Sequence, residues 1–337
     1  MSDVGMPGRR GYMQQNEMTK EILLSVNNLE KHFQDESIGK TVTVKAVNNI
    51  SLYVQRGETY GLVGESGCGK STTGRAILNL VKPTNGEVVY NGVDLSKLSE
   101  RNMRKYRKKL QMIFQDPYSS LNPRKRIGKS LEEPLLIHKI GTKNERVEKV
   151  IKVLESVGMR PDSLYKFPHE FSGGQLQRIG IARALICEPE LIICDEPVSA
   201  LDVSVQAQII NLLGELQKEL QLTYIFIAHD LSVVRHISDR VGVMYFGSLI
   251  EEAFTDNIFD NPLHPYTQVL LSAVPLADPK KKREEIEIAG EIPSPLNPPQ
   301  GCPFHTRCPK VMDICKHQLP ERIEAEKAHF VNCHLYK

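Results

Sequence analysis

The chain has 337 residues, 40% of them hydrophobic, enough for a large core and too many for a disordered protein. Its 43 basic and 41 acidic residues leave a formal net charge of +2, so no global pull toward nucleic acid or anionic lipid operates and any partner must be held by specific contacts. No apolar stretch approaches the roughly 18–20 residues needed to cross a bilayer, and the opening MSDVGMPGRRGYMQQNEMTK lacks the apolar centre of a signal peptide, so the chain is expected in the cytosol.

Residues 1–20 read as a flexible tail. Strand candidates begin with ILLSVNNL at 22–29 and TVTVKAVNNISLYV, after which strand-like and helical runs alternate: TYGLVG, a helix from Lys70, EVVYNG, LQMIF, ELIICD, a helix from Asp202, TYIFIA and RVGVMYFG. That alternation predicts an α/β fold with a partly parallel sheet. Between Gln115 and Phe171 the strand signal vanishes, and NERVEKVIKVLESVG sets Val147, Val150, Ile151, Leu154 and Val157 at helical spacing, which predicts a helical insert. From Pro275 to Gly301 the chain is proline-rich; it reads as a linker with a solvated KKKR run and a short edge strand at EIEIAG.

GESGCGKS, from Gly64 to Ser71, fits the GxxxxGKS pattern and has the required setting, a strand before it and a helix after it. The loop of Gly64, Glu65, Ser66, Gly67, Cys68 and Gly69 can curl its N–H groups round phosphates, with Thr72 beside it at the helix start. Lys70 reaches the β and γ oxygens, and the Ser71 hydroxyl ligates Mg²⁺. LIICDE is a buried strand ending in two acids, and strand neighbours point to opposite faces, so Asp195 and Glu196 can serve different targets. Asp195 is assigned to Mg²⁺ and Glu196 to the attacking water. Gln115 and His229 each close an apolar strand and emerge at the edge where ligands bind in such sheets. His229 is assigned to the γ-phosphate, and Gln115 to the metal and the lytic water.

FSGGQ raises a question, because two adjacent glycines near a helix start cost roughly 1 kcal/mol each relative to alanine. Ser172 can cap the helix, and bare backbone at Gly173 and Gly174, with Gln175 behind them, suits an anion.

The P-loop, Gln115, FSGGQ, LIICDEP, SALD and His229, in that order, make residues 22–255 resemble the ATP-binding cassette ATPases. The resemblance implies a P-loop NTPase fold: a mixed sheet core with an N-terminal antiparallel part and a helical subdomain at approximately 116–185, within a cassette at 21–255. It implies that two cassettes pack head to tail, so that Ser172, Gly173, Gly174 and Gln175 meet the nucleotide of a partner. It also implies that Asp202 of SALD links the two sites and that Phe33 of LEKHF stacks on adenine, although many relatives have tyrosine there. Phe171 stands where leucine is common. NPLHPYTQVLL, the linker and CPFHTRCP resemble the C-terminal extension, here 256–337, of ATPases that power oligopeptide and dipeptide importers.

The implied assembly has a second ATPase subunit, copy or paralogue, and two membrane-spanning permeases. An extracytoplasmic peptide-binding protein completes it, and this chain lies on the cytoplasmic face of the membrane. A soluble cassette ATPase acting on nucleic acid or ribosomes is the alternative from another class; near-neutral charge, a single cassette and no long heptad run argue against it. Import of another solute, such as nickel or a sugar, uses the same machine. Cys302, Cys308, Cys315 and Cys333, spaced x5, x6 and x17, match no CxxC knuckle. With the family resemblance they suggest a [4Fe–4S] cluster, with zinc or no metal as alternatives; His305, His317 and His334 stand close enough in sequence to replace one ligand.

Overall fold

In a computed structural model the chain is described over residues 21–35, 42–273, 286, 290, 293–296 and 298–337. The tail expected at 1–20, most of the linker and most of EIEIAG lie outside the described residues.

An antiparallel sheet is built from β1 (Ile22–Asp35), β2 (Val42–Gln55), β4 (Asn85–Tyr90) and β5 (Val93–Asp94), in the order β2-β1-β4-β5. The larger sheet has eight strands: β3 (Thr59–Val63), β6 (Leu110–Ile113), β7 (Leu191–Asp195), β8 (Thr223–Ala228), β9 (Arg240–Tyr245), β10 (Ser248–Phe254), β11 (Ile323–Glu326) and β12 (His329–Val331). Its order is β11-β12-β10-β9-β3-β8-β7-β6, parallel from β9 to β6 and antiparallel where β10, β12 and β11 extend it. The C-terminal segment thus adds two strands to the central sheet, pairing Glu251 with Val331 and Glu252 with Phe330.

The period of two explains why the parallel strands are apolar throughout. Leu191, Ile193, Ile225 and Ile227 face the antiparallel sheet, where they join Val26, Leu29, Ile50 and Ile77. Their neighbours Ile192, Cys194, Tyr224 and Phe226 face the opposite core with Leu131, Leu154, Ile179 and Leu213. A strand covered on both faces has no polar side to alternate with.

Helices fill the connections: α1 (Lys70–Ile77) follows β3 and α2 (Glu100–Arg107) precedes β6. The insert holds α3 (Pro117–Ser120), α4 (Ile127–Ile137), α5 (Lys143–Ser156) and α6 (Gly173–Leu185). The apolar stripe read from the sequence buries Val150 and Leu154 of α5 and Val157 at its C-cap and half-buries Ile151, while Val147 stays 43% exposed, so the stripe falls short at its first member. After β7 come α7 (Val203–Leu220) and α8 (Leu231–Ile237); α9 (Thr255–Asp260), α10 (Pro265–Ser272) and α11 (Asp313–His317) belong to the C-terminal part.

Candidate functional site

The P-loop lies between β3 and α1, pressed against the antiparallel sheet. Gly69 has φ +105°, and a Cβ there would stand 2.1 Å from the Ala46 carbonyl oxygen of β2, so no other residue fits without moving backbone. This close approach fixes where the loop sits. Lys70 is buried, and its Nζ donates to the carbonyls of Gly64 at 2.7 Å and Glu65 at 2.9 Å, drawing the loop round the ammonium. Burial raises the Cys68 thiol pKa, and the nearby Lys70 charge opposes that rise. Ser66 and Gly67 are exposed at the loop's crown.

Ser71 and Asp195 meet as the motifs predict, the Ser71 hydroxyl donating to Asp195 Oδ1 at 2.7 Å. Burial pushes the Asp195 carboxyl above its usual range, while the Ser71 hydrogen bond and the Arg75 guanidinium, 3.7 Å away, pull it back. A hydroxyl, a carboxylate and the nearby Gln115 amide are hard oxygen donors of the kind Mg²⁺ takes, so the residues fit that ion.

Next to Asp195 the backbone turns sharply: Glu196 has φ +47° and its N–H donates to the Ile227 carbonyl at 3.0 Å. That turn sends the Glu196 carboxylate toward two other predicted residues. Gln115 Nε2 donates to Glu196 Oε2 at 2.9 Å, and His229 Nδ1 lies 3.7 Å from the same oxygen. Gln115 and His229 are exposed, and Glu196 is 15% exposed. The structure therefore gathers Gln115, Glu196 and His229 at the carboxyl ends of β6, β7 and β8, where the sequence put them.

FSGGQ forms a capping box: Gln175 N–H donates to Ser172 Oγ at 3.4 Å, and Ser172 N–H donates to Gln175 Oε1 at 3.0 Å. The two glycines differ. A Cβ on Gly174 would meet Val205 Cγ1 at 2.5 Å, a stiff branched side chain of α7, whereas a Cβ on Gly173 has only an ordinary contact, with Leu201 at 3.5 Å. Gly174 has an internal packing reason; Gly173 has none. Asp202 is exposed at the start of α7, with no side-chain capping bond, beside Val203, which is 82% exposed. Phe33 is 43% exposed, with the Lys31 ammonium 4.9 Å from its ring centre.

An open cleft of about 590 Å³ lies within the insert, lined by Asn122, Arg124, Lys125, Glu133 and Arg183 among others. Arg183 bridges its two walls by donating to the Ser120 carbonyl.

In the C-terminal part the Cys302 N–H donates to the Cys315 carbonyl at 2.8 Å. Burial pushes the Cys302 thiol up to about 11, and the neighbouring charges of Cys315, Cys333 and Cys308 add to that rise. The four thiols thus share one neighbourhood. Among the described residues, however, no group of three or more His, Cys, Asp and Glu side chains is arranged to hold a metal ion. His305 Nδ1 and His334 Nε2 are paired with the carbonyls of Cys302 and Gln318 at 2.8 and 3.0 Å. Sequence reasoning missed Arg75 beside Asp195 and the contacts of Tyr266 and Arg307 with the P-loop: Tyr266 and Arg307 stand in NPLHPYTQVLL and CPFHTRCP, but nothing local ties those stretches to Glu65, 201 and 242 positions earlier.

No helix among the described residues is long and apolar enough to cross a membrane. The family profile described as "ABC transporter" matches residues 47–199, and that described as "Oligopeptide/dipeptide transporter, C-terminal region" matches 250–315. The oligopeptide transport ATP-binding protein AppF of Bacillus subtilis is 56% identical over 94% of this chain and 98% of its own length. OppF of Haemophilus influenzae, also named an oligopeptide transport ATP-binding protein, is 52% identical over 93% and 97%. Among solved structures, the dimeric ATP-binding cassette MJ0796 bound to ADP and Pi superposes with a TM-score of 0.62 at 29% identity, covering 69% of this chain and 98% of that one. The chain therefore belongs to the ABC transporter ATPases, in the branch of the peptide-import ATP-binding proteins.

Proposed function

We propose that the chain hydrolyses Mg-ATP to power import of di- and oligopeptides through a membrane transporter, with each nucleotide enclosed between its P-loop and the FSGGQ helix of a companion cassette. The observation that carries this is the convergence of Gln115, Glu196 and His229 beside the Ser71–Asp195 pair at one sheet edge. Lys70, now satisfied by two loop carbonyls, transfers its donors to the β and γ oxygens when phosphate arrives. Ser71, Asp195 and Gln115 would hold Mg²⁺, which would supply charge neutralisation at the phosphates. Glu196 takes a proton from the attacking water, Gln115 orients that water, and His229 donates toward the γ-phosphate. Phe33 offers an exposed ring for the adenine.

Among the described residues, half-buried Gly173 has no packing reason to be glycine, Asp202 is exposed without a side-chain capping bond, and Val203 is exposed. A second cassette, copy or paralogue, would cover them. The cleft within the insert, lined largely by charged and polar side chains that follow Gln115 in the chain, suits a coupling helix from a permease. Two permeases would place the chain on the cytoplasmic face of the membrane, with a peptide-binding protein on the far side. The cassette would then span 21–255, its helical subdomain 116–185, and the extension 256–337.

The test is uptake of a labelled oligopeptide by cells lacking the gene. The wild-type chain restores uptake and recovers two permeases on purification from membranes, whereas Glu196→Gln restores none. Restored uptake of nickel but not peptide would replace the cargo, and co-purification with ribosomes alone would replace the function.

A [4Fe–4S] cluster on Cys302, Cys308, Cys315 and Cys333 belongs to the same proposal, supported by the bond from the Cys302 N–H to the Cys315 carbonyl, which draws two of the four cysteines together. Protein purified without oxygen should carry about four irons per chain, a number set by the cluster type, and Cys308→Ser should lose them. Zinc, or colourless metal-free protein, would remove the cluster.

A further inference from the structure

Glu65, second residue of the P-loop, is held at three points. Lys70 donates to its carbonyl at 2.9 Å, its N–H donates to the Tyr266 hydroxyl at 2.9 Å, and its carboxylate receives both arms of Arg307, at 3.0 Å to Oε2 and 3.2 Å to Oε1. Only the first of these partners belongs to the loop. Tyr266 sits on α10, and Arg307 lies 242 positions along the chain from Glu65, inside CPFHTRCP. Two-armed pairing fixes the orientation of the carboxylate as well as its position.

The support behind these two residues is rigid. Arg307 is 8% exposed, and a third contact runs from it to the Tyr245 hydroxyl at 3.4 Å. Tyr245, Tyr266 and Phe304 pack ring against ring, with centroids 4.6, 5.3 and 5.4 Å apart, and Tyr266 and Phe304 are fully buried. A glycine-rich loop is entropically expensive to order, and a ligand that meets it already ordered binds more tightly. Holding Glu65 by its N–H and its carboxylate sets the start of the loop before nucleotide arrives.

We infer that Arg307 is a positioning residue for ATP: the C-terminal extension completes the phosphate-binding loop in cis, and its packing is coupled to nucleotide affinity. Tyr266 shares this role through its hydroxyl. The inference rests on the Mg-ATP site proposed above and adds to it a dependence on residues outside the cassette.

Calorimetric titration of the full-length chain with Mg-ATP tests the coupling. Arg307→Met and Glu65→Gln should each raise Kd about 5–50-fold, within the usual range for two linked sites. The double variant should bind no more weakly than the worse single one, because one interaction is being removed twice. In the assembled transporter, KM for ATP should rise while kcat stays within about twofold, the pattern of lost binding rather than lost chemistry. Arg322→Met is the comparison: Arg322 belongs to the same extension but pairs with Glu252 at 2.6 Å, so this variant should lower the melting temperature and leave Kd unchanged.

Wild-type affinity in a cooperatively folded Arg307→Met or Glu65→Gln chain overturns the inference, as do additive losses in the double variant or an equal loss in Arg322→Met. A wild-type chain that ignores Mg-ATP overturns the functional reading, and the inference falls with it.

Discussion

The catalytic edge of this molecule and the seam where the C-terminal extension joins the central sheet treat charge differently. At the edge, Gln115 and His229 stand exposed around a Glu196 side chain that is 15% exposed, all at strand ends. Where the extension packs on β9 and β10, charge is buried and matched: Glu251 accepts the N–H groups of Leu263 and His264 at 2.7 and 2.8 Å and pairs with His329 at 2.8 Å. Glu252 is shared between Arg240 and Arg322. Of the groups that await a ligand, Gln115 and His229 are left open while Lys70 and Asp195 are buried against loop carbonyls and Ser71, and the groups that hold the chain to itself are sealed throughout, because a buried charge is tolerated only when paired.

The largest expected effect comes from closing the open side of that comparison. Glu196→Gln keeps the shape and its contact with Gln115 but removes the base, so turnover should fall by about 10²–10⁴-fold, the usual worth of a general base. Mg-ATP binding by equilibrium titration should persist. A turnover near wild type in a steady-state assay would reassign the base.

Breaking the sealed side should damage the fold instead. Arg240 is 5% exposed between Glu58 and Glu252, which are 2% and 1% exposed, and its guanidinium lies 4.0 Å from the Tyr53 ring centre. Arg240→Met leaves two buried carboxylates short of their partner and should destabilise by about 3–5 kcal/mol, read from urea unfolding. Relief comes only by protonation, so the loss should shrink at low pH.

The paired glycines sharpen the contrast within one helix. Gly174→Ala drives a Cβ into Val205 and should lower stability by about 1–3 kcal/mol, the range for overpacking. Gly173→Ala has room and gains helix propensity, so the isolated chain should melt no earlier. If Gly173 faces a partner's nucleotide, that same variant loses ATPase in the assembled transporter despite its sound fold. Unfolding curves and turnover, measured on both variants, separate the two roles.

These contrasts also mark what the sequence could carry. Ser71, Asp195, Glu196, Gln115 and His229 were legible because each closes a strand or opens a helix, and strands that run parallel bring their carboxyl ends to one edge. The reason for Gly174 was not, since Val205 lies on another helix and nothing local announces the approach. Nor was the pairing of Arg307 with Glu65, which depends on the whole sheet bringing two distant loops together. The strands Ile323–Glu326 and His329–Val331 were overlooked because RIEAEKAHFV is short and charged, and it pairs only because β10 offers an edge.

The smallest effect lies where the two sheets meet, a junction neither open nor sealed. Glu190, just before β7, accepts from Arg56 at 3.0 Å and Tyr90 at 2.9 Å, with Lys109 at 3.3 Å, and so ties the antiparallel sheet to the central one. Burial alone would raise its carboxyl, but the hydrogen bonds from Arg56, Tyr90 and Lys109 outweigh burial and hold it at about 2. A carboxylate whose folded pKa is depressed stabilises the fold above its unfolded value of 4.5, and that stability drains away as pH falls from there toward 2. With the side chain 29% exposed, solvent screening reduces the contribution to about 1 kcal/mol. Glu190→Gln should therefore lose about that much at pH 7 and show a flatter stability curve between pH 4.5 and 2. Parallel curves for the two proteins across that window would mean that the junction is held by its apolar contacts, and that the hydrogen bonds converging on Glu190 contribute geometry without net stability.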